Sequence, residues 1–283
     1  MAIASPVREI QSLDHPLVKE IRRALGRGEP LGRGDFAGAL ALDSPHLVEE
    51  AITAGVAVDA LLFVAEMEDA ALGLLHRGRH PVVLYRLSRE AFKKIASTES
   101  PQGLLALVRT REWIAHELFS PAPALVLILA GIQDPGNAGT LLRSAEAFGA
   151  TGAILLRGAV HATHPKMLRA AAGSTFRLPH MGGVQQDQAL AMCAVSGATV
   201  YALDSGARDT LDSVDLRGPC AFAVGAEGAG LPPDLLDNAR PVAIPRTRRV
   251  ESLNAAVAGA LALYEAARQR DKTREKIETH GTV

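Results

Sequence analysis

Residues 125–150 read LVLILAGIQDPGNAGTLLRSAEAFGA and set the architecture of the chain. The apolar run Leu125–Ala130 has the length and composition of a buried strand. A turn through residues 134–136 (DPG) follows it, and apolar residues then recur with helical spacing. We place the N-cap of this helix at Asn137 and its end at Gly149. A buried strand that leads through a glycine turn into a helix is typical of ligand sites at the carboxyl edge of a parallel sheet.

Arg143 is the one charge placed early in this helix, six residues after Asn137. A solvated helix face accounts for most arginines in such a position. The neighbouring turn makes a functional arginine an equally good interpretation, and both stay open at this point.

The composition fits a globular protein of one large domain or two ordinary ones. The chain has 283 residues, of which 48% are hydrophobic and 22% charged. Its net charge of −1 gives no general attraction to nucleic acid, although a local basic patch would suffice. Cys193 and Cys220 are too few for a cysteine-rich metal site, and the histidines lack ligand spacing, so we expect no metal. The N-terminus lacks an apolar signal core and no apolar run could span a membrane, so we expect a cytoplasmic protein without a membrane partner.

Residues 1–110 alternate short apolar runs with helical patterns, which predicts a small α/β sandwich without a catalytic constellation. Its first helix carries a basic cluster that includes Arg22 and Arg23. Such a cluster is usually a solvated face, and a phosphate contact is the alternative. The charged, proline-containing stretch that follows predicts an interdomain linker at residues 111–120.

The second part of the chain contains another glycine turn, GAEGAG at residues 225–230, directly after an apolar strand. It matches neither the dinucleotide-binding GxGxxG fingerprint nor a P-loop, which argues against a Rossmann-type oxidoreductase. Its glycines suit a backbone that approaches a ligand closely, with the Glu227 carboxylate beside it. The alternative is that Glu227 caps the helix that Pro232 and Pro233 begin, and the residue pattern favours neither interpretation.

The last helix is predicted to begin at Ser252, which could serve as its N-cap. Apolar residues then recur at helical spacing and predict a core-facing stripe. The residues of that stripe are Leu253, Val257, Leu261 and Tyr264.

Three segments of the second part occur in order, each in a strand–turn–helix context. The first is DPGNAGT at residues 134–140 with Arg143, and the second is VGAEGAGL at residues 224–231. The third combines IP at residues 244–245 with ESLNAAVA at residues 251–258. Together they resemble the three motifs of the SpoU (TrmH-like) family of RNA ribose 2′-O-methyltransferases, within the SPOUT superfamily. Residues 1–110 are similar to the family's ribosomal-protein-L30-like RNA-binding domain, so the resemblance covers nearly the whole chain.

The resemblance implies an α/β fold with two domains. An N-terminal L30-like α/β sandwich would bind RNA at residues 1–110. A C-terminal domain at residues 121–283 would have a parallel sheet, with helices on both faces, and a trefoil knot. Ordinary topology rules would not propose a knot, because knots are rare exceptions. Members of the family usually form homodimers through the knotted region, and we expect the same here.

The implied activity is S-adenosylmethionine-dependent 2′-O-methylation of a ribose in structured RNA, with 23S ribosomal RNA as the leading substrate. A tRNA substrate is the alternative within this enzyme class. A non-catalytic RNA-binding or ribosome-assembly protein is the alternative from another class. The intact motif residues argue against the non-catalytic interpretation.

The resemblance also implies site residues, position by position. The residues expected to line the reacting ribose are Arg143, Asn137, Glu227, Ser252 and Asn254. Those expected to hold S-adenosylmethionine are Leu203, Gly225, Ile244 and Leu253. Those expected to contact RNA are Arg22, Arg23, Arg246, Arg248 and Arg249, and no metal is implied.

The family assigns activation of the ribose hydroxyl to the counterpart of Arg143. A guanidinium stays protonated in nearly all protein settings, so Arg143 is a poor general base. We therefore favour a positioning role, in which Arg143 binds phosphate and orients the hydroxyl while solvent takes the proton.

The chain departs from the family pattern at two places. Where the N-terminal domain often has a Glu-Gly pair before its second helix, this chain has Asp43 and Ser44 after Leu42. Where many members have a methionine after the Ile-Pro of the third motif, this chain has Arg246.

Overall fold

The computed structural model describes residues 6–75, 81–247 and 250–280, with the side chains of residues 272–280 excepted. The elements up to residue 111 are β1 (Arg8–Ile10), α1 (Pro16–Arg27), β2 (Leu40–Leu42), α2 (Pro45–Thr53), β3 (Ala57–Phe63), α3 (Glu68–Leu75), β4 (Val83–Leu87), α4 (Arg89–Ile95) and β5 (Leu104–Arg109). Those that follow are α5 (Ala115–Leu118), β6 (Leu125–Ala130), α6 (Pro135–Ala147), β7 (Gly152–Leu156), α7 (Pro165–Ala171), α8 (Ser174–Arg177), β8 (His180–Val184), α9 (Gln186–Val195), β9 (Thr199–Leu203), β10 (Cys220–Gly225), α10 (Pro233–Asp237), β11 (Arg240–Val242) and α11 (Ala255–His280).

The chain divides into two compact units. The first unit extends to Arg111 and also includes Thr163–Phe176. The second consists of Glu112–Ala162 and the chain from Arg177 onward. One short segment from the second half of the sequence therefore folds with the first unit.

The first unit is built on a mixed sheet with the strand order β1-β4-β3-β5-β2. Strands β1, β4 and β3 are parallel, and β5 runs antiparallel to both β3 and β2. Side chains of β3 alternate between two cores, with Ala60 and Leu62 in one and Leu61 and Phe63 in the other. Helices α1 and α4 contribute to the first of these cores and α2 and α3 to the second. The predicted small α/β sandwich is confirmed.

The segment Thr163–Phe176 is held in the first unit by both apolar and charged contacts. Leu168 and Phe176 lie in the same core as α2 and α3. Arg169 Nη1 donates to Asp43 Oδ1 at 2.9 Å, and Ser97 N donates to Asp43 Oδ2 at 3.0 Å. Asp43 is 4% exposed, so its charge is satisfied almost entirely by these protein donors. The departure from the family pattern at this position therefore supplies the carboxylate that holds Arg169.

The second unit is built on an all-parallel sheet with the strand order β11-β9-β10-β6-β7-β8. Its central strands β10, β6 and β7 are apolar runs that are buried along nearly their whole length. Such runs are expected where helices cover both faces of a parallel sheet. The predicted parallel-sheet α/β architecture is confirmed, and the trefoil knot stays a prediction. Among the described helices, none is both long and apolar enough to cross a membrane.

The two predicted helix N-caps were wrong. The N-cap of α6 is Asp134, whose Oδ1 accepts a hydrogen bond from Asn137 N at 2.7 Å. Pro135 occupies the first helical position, which places Asn137 inside the first turn. The N-cap of α11 is Asn254 instead of Ser252, because Asn254 Oδ1 accepts from the N–H groups that open that helix.

The predicted core stripe of the last helix was also wrong. Val257, Leu261 and Tyr264 are 48%, 39% and 50% exposed. The buried face of α11 consists largely of small residues, such as Ala262 and Ala266. A Cβ at Gly259, on this face, would lie 2.3 Å from Leu141 Cδ2 of α6. Small residues allow α11 to pack closely against α6, and Val257, Leu261 and Tyr264 face outward while Leu263 is buried.

Candidate active site

The first and second motifs meet because their strands are neighbours in register. Gly225, at the end of β10, pairs with Ala130, at the end of β6. The chain leaves β6 through the turn into α6 and leaves β10 through the glycine loop. Both segments therefore emerge at the carboxyl edge of the sheet, where open α/β sheets bind their ligands.

The glycine loop is compact, and its shape depends on residues without side chains. Gly230 N donates to Ala226 O at 2.9 Å, and both Gly228 and Gly230 have positive φ, at 80° and 68°. A Cβ at Gly225 would lie 2.3 Å from the carbonyl carbon of Gly230. No other residue fits at Gly225 without moving the backbone of the loop. The loop thus holds Glu227 in a fixed position.

Glu227 connects all three motifs. Its Oε1 accepts hydrogen bonds from Asn137 Nδ2 at 3.0 Å, from Asn254 Nδ2 at 2.6 Å and from Ala255 N at 3.4 Å. Asn254 Nδ2 also lies 3.1 Å from Asn137 Oδ1. We refer to Glu227, Asn137 and Asn254 as the carboxylate–amide cluster.

This geometry decides between the two interpretations of Glu227. The helix that follows Pro232 is α10, and its cap does not involve Glu227. The carboxylate instead lies at the N-terminus of α11, where the helix dipole favours a negative charge. It joins residues that the sequence places far apart, and it is exposed to solvent, so an RNA could reach it.

A cavity of about 510 Å³ adjoins the carboxylate–amide cluster. It is lined by all of the predicted cofactor-binding residues, namely Leu203, Gly225, Ile244 and Leu253. Ser252 and Glu227 line it as well. The aliphatic side chains suit the face of an adenine ring, and the missing Cβ at Gly225 leaves backbone open to a ligand.

Asp204 lines the same cavity, and the sequence analysis did not single it out. It follows directly after β9, and its Oδ1 accepts a hydrogen bond from Gly206 N at 3.0 Å. A carboxylate at the carboxyl end of a parallel strand was the signal that could have identified it, because such carboxylates bind ribose hydroxyls in other nucleotide sites.

Arg246 also lines this cavity, and its guanidinium is occupied by backbone carbonyls. Nη1 donates to Ser205 O at 3.2 Å, Nε donates to Val250 O at 3.2 Å and Nη2 donates to Glu251 O at 2.9 Å. The side chain thereby fastens the loop before α11 to the segment after β9. A contact between Arg246 and RNA stays a prediction, and the predicted contacts of Arg248 and Arg249 lie outside the described residues.

The structure does not bring Arg143 into the carboxylate–amide cluster. Arg143 lies on α6 with an exposed side chain. It makes no hydrogen bond or ion pair with any residue that the structure describes, so its donors are available to a ligand. It does not line the cavity of about 510 Å³ beside that cluster.

The two predicted RNA contacts of the first unit differ in their surroundings. Arg22 is exposed. Arg23 is held by Glu20 at 2.9 Å and by Glu29 at 3.1 Å. The Arg23 hydrogen bond, together with one from Gly32 N, lowers the pKa of Glu20 to about 2. Arg22 is therefore the better placed of the two for a phosphate contact.

Two family models match the chain. The model of the SpoU rRNA Methylase family matches residues 124–264, and that of the MRM3-like substrate binding domain matches residues 35–106. The first of these ranges contains all three motifs.

Individual relatives match over most of the chain. An uncharacterized tRNA/rRNA methyltransferase of Synechocystis is 35% identical over 95% of this chain and 96% of its own. The 23S rRNA (guanosine-2'-O-)-methyltransferase RlmB of Xylella fastidiosa is 30% identical over 81% of this chain and 91% of its own. The AdoMet-bound rRNA methyltransferase of Sinorhizobium meliloti has a similar structure, with a TM-score of 0.78, 27% identity and coverage of 93% of this chain and 98% of that one.

Proposed function

Because the chain belongs to the SpoU family and is an S-adenosylmethionine-dependent RNA ribose 2′-O-methyltransferase, we propose that its substrate is 23S ribosomal RNA. The family, activity and cofactor predicted from the sequence are thereby confirmed. The Xylella relative acts on 23S rRNA, and the Sinorhizobium neighbour is an rRNA methyltransferase. These two similarities favour ribosomal RNA over tRNA. An RNA of this kind places the enzyme in the cytoplasm.

The proposed roles of the domains keep the boundaries that the sequence predicts. Residues 1–110 form the RNA-binding domain, residues 111–120 the linker and residues 121–283 the methyltransferase domain. The match of residues 35–106 to a substrate binding domain supports the first assignment. The three linked motifs support the last, to which we also assign the trefoil knot.

The observation that carries the proposed mechanism is the hydrogen-bonded link between Glu227, Asn137 and Asn254 beside the cofactor cavity. Leu203, Gly225, Ile244 and Leu253 would hold the cofactor, which supplies an electrophilic methyl group when it is bound. The carboxylate–amide cluster and Ser252 would hold the ribose and orient its 2′-hydroxyl. Glu227 Oε2 can accept a hydrogen bond from a ribose hydroxyl, because Asn137 and Asn254 donate to Oε1.

A ribose hydroxyl is a poor nucleophile until it is oriented in line with the methyl group and loses its proton. Arg143 remains protonated, binds a phosphate of the substrate and fixes the position of the hydroxyl. The exposed cluster leaves water free to take the proton. Arg143 is therefore a positioning residue in this mechanism.

We further propose that the enzyme is a homodimer through its second unit. The exposed stripe Val257, Leu261 and Tyr264 on α11 supports this, because it is a continuous apolar helix face. Burial of such a face against a second copy would remove it from water and stabilise the pair.

Transfer of labelled methyl groups tests the substrate. The purified enzyme is incubated with labelled S-adenosylmethionine and, in parallel, with unmodified ribosomal RNA and unmodified bulk tRNA. We expect label in the ribosomal RNA alone. Label in the tRNA alone would show that tRNA is the substrate instead. Label in neither RNA would contradict the proposed function.

A further inference from the structure

A second cavity, of about 710 Å³, shares a wall with the cofactor cavity. The glycine loop forms that wall, because Ala226, Glu227 and Gly230 line both spaces. Asn137 lines the second cavity but not the first. The carboxylate–amide cluster therefore stands where the two spaces meet.

Three polar side chains of this second cavity come from the ends of three neighbouring parallel strands. Gln133 follows β6, Arg157 follows β7, and Gln186 begins α9 shortly after β8. None of these three side chains has a hydrogen-bond partner among the residues that the structure describes. Their donors and acceptors are available to a ligand at the edge of the sheet where α/β proteins bind ligands.

The other polar residues of the lining are Asp134, Asn137, Gln185 and Glu227, and the rest of the lining is apolar. Ile132, Leu156 and Leu231 are 3%, 5% and 8% exposed, and they contribute aliphatic surface to the cavity. Arg157 is the only cationic side chain among the residues that line it. A site for a bare phosphate would need more positive charge, whereas aliphatic walls with a few amide and guanidinium groups suit a flat heterocycle.

We propose that this cavity receives the base of the nucleotide whose ribose is methylated, and that Gln133, Arg157 and Gln186 discriminate between bases. The inference rests on the proposed function, since it assumes an RNA ribose at the carboxylate–amide cluster. A ribose there has its base within reach of the adjoining space. In RNA, a base that is splayed out of the stack is read through hydrogen bonds to its edges. The guanidinium of Arg157 matches the O6 and N7 acceptors of guanine, so guanine is the preferred base.

The test uses transcripts of the rRNA segment that wild-type enzyme methylates, made with each of the four bases at the methylated position. Arg157→Leu, Gln186→Leu and Gln133→Leu are compared with wild type, and kcat/KM is measured on each transcript. Arg208→Leu is the matched control for Arg157→Leu, because Arg208 is exposed and does not line the cavity. The Kd for S-adenosylmethionine reports whether each variant keeps its fold. The three substituted residues lie on separate segments. If one variant fails to fold, the other two still test whether the cavity selects the base.

We expect wild type to favour guanine by roughly ten- to a hundredfold, the range of one good contact to a base edge. Arg157→Leu should reduce that preference to a few-fold, with the Kd for S-adenosylmethionine unchanged and Arg208→Leu like wild type. Cavity variants that keep the full wild-type preference, or a wild type that shows none, would overturn the inference while the proposed function stands. Failure of wild type to label any RNA would overturn the proposed function and this inference together.

Discussion

Asn254 Nδ2 donates a hydrogen bond to Glu227 Oε1 at 2.6 Å while Asn254 Oδ1 caps α11, accepting from Ala256 N at 2.9 Å and Val257 N at 3.2 Å. One amide thus fixes the start of the last helix and links the third motif to the second. Because its oxygen is used by the helix, its nitrogen must face the carboxylate. The helix cap therefore determines how the Asn254 amide is oriented towards Glu227.

Substitution of Asn254 should separate these two roles. Asn254→Ala removes the cap and should lower the free energy of unfolding by about 1 kcal/mol. It also removes the donor to Glu227, and we expect kcat to fall by at least tenfold. Asn254→Ser restores a cap without that donor, so stability should recover and kcat should not. Denaturant titration and single-turnover methyl transfer measure the two effects, and a fully active serine variant would show that only the cap matters.

Arg143→Ala should reduce methyl transfer by about a hundredfold or more, the scale expected when a reacting group is misplaced. The Kd for S-adenosylmethionine should stay the same, because Arg143 does not line the cofactor cavity. Arg143→Lys keeps the charge but loses the planar fork, so it should recover only part of the rate. A fully active alanine variant would remove Arg143 from the mechanism.

Arg246→Met installs the residue common in the family and removes the donors to Ser205 O, Val250 O and Glu251 O. The loop beside the cofactor cavity should become more mobile. A net hydrogen bond contributes about 0.5–1.5 kcal/mol, so we expect the Kd for S-adenosylmethionine to rise roughly tenfold. The rate at saturating cofactor should change little. Calorimetric titration measures the Kd, with Arg208→Met as the control because Arg208 is an exposed arginine that does not line this cavity. Equal affinity in wild type and Arg246→Met would contradict the fastening role.

Leu261→Lys should convert the proposed homodimer into a monomer. The substitution places a charge in the middle of the exposed stripe of α11, where it would have to be buried without a partner. Light scattering after gel filtration should give twice the chain mass for wild type and the chain mass for the variant. Val195→Lys, at a side chain that is 90% exposed on α9, serves as the control and should remain dimeric. A monomeric wild type would show that the stripe has another use.

Glu20 should contribute stability at neutral pH and lose it in acid. Its pKa in the folded state is about 2, below the ordinary value of 4.5, because Arg23 and Gly32 N donate to the charged form. The contribution is therefore complete above pH 4.5 and declines as the pH falls towards 2. Glu20→Gln should be less stable than wild type at pH 7, and the difference should shrink below pH 4.5. Urea titrations at several pH values measure this, with the more exposed Glu29→Gln expected to show a smaller difference at pH 7.

The parallel sheet was predictable because its central strands are uninterrupted apolar runs, as in Leu125–Ala130. The resemblance to known motifs also grouped Leu203, Gly225, Ile244 and Leu253, which line one cavity, and their contact with the cofactor stays a proposal. The N-caps of α6 and α11 were predicted wrongly because neighbouring polar residues compete for the cap position. Pro135 was the available signal, since proline prefers the first helical position and so identifies Asp134 as the cap.

Other features depend on contacts that spacing along the chain does not contain. Much of the buried face of α11 is made of small residues, because close packing against α6 excludes a larger residue at Gly259. The hydropathy pattern alone therefore predicted the wrong face of α11 as the buried one. The placement of Thr163–Phe176 in the first unit depends on Asp43 and Arg169, which lie 126 positions apart.

Identification of the product nucleoside tests the proposed substrate and the site of methylation most directly. Ribosomal RNA and tRNA are treated with the enzyme and isotopically labelled S-adenosylmethionine, digested to nucleosides and analysed by mass spectrometry. We predict that the label occurs in one 2′-O-methyl nucleoside from 23S rRNA, and that the Arg143→Ala enzyme produces almost none. Label on a base instead of a ribose, or a 2′-O-methyl nucleoside from tRNA alone, would contradict this prediction.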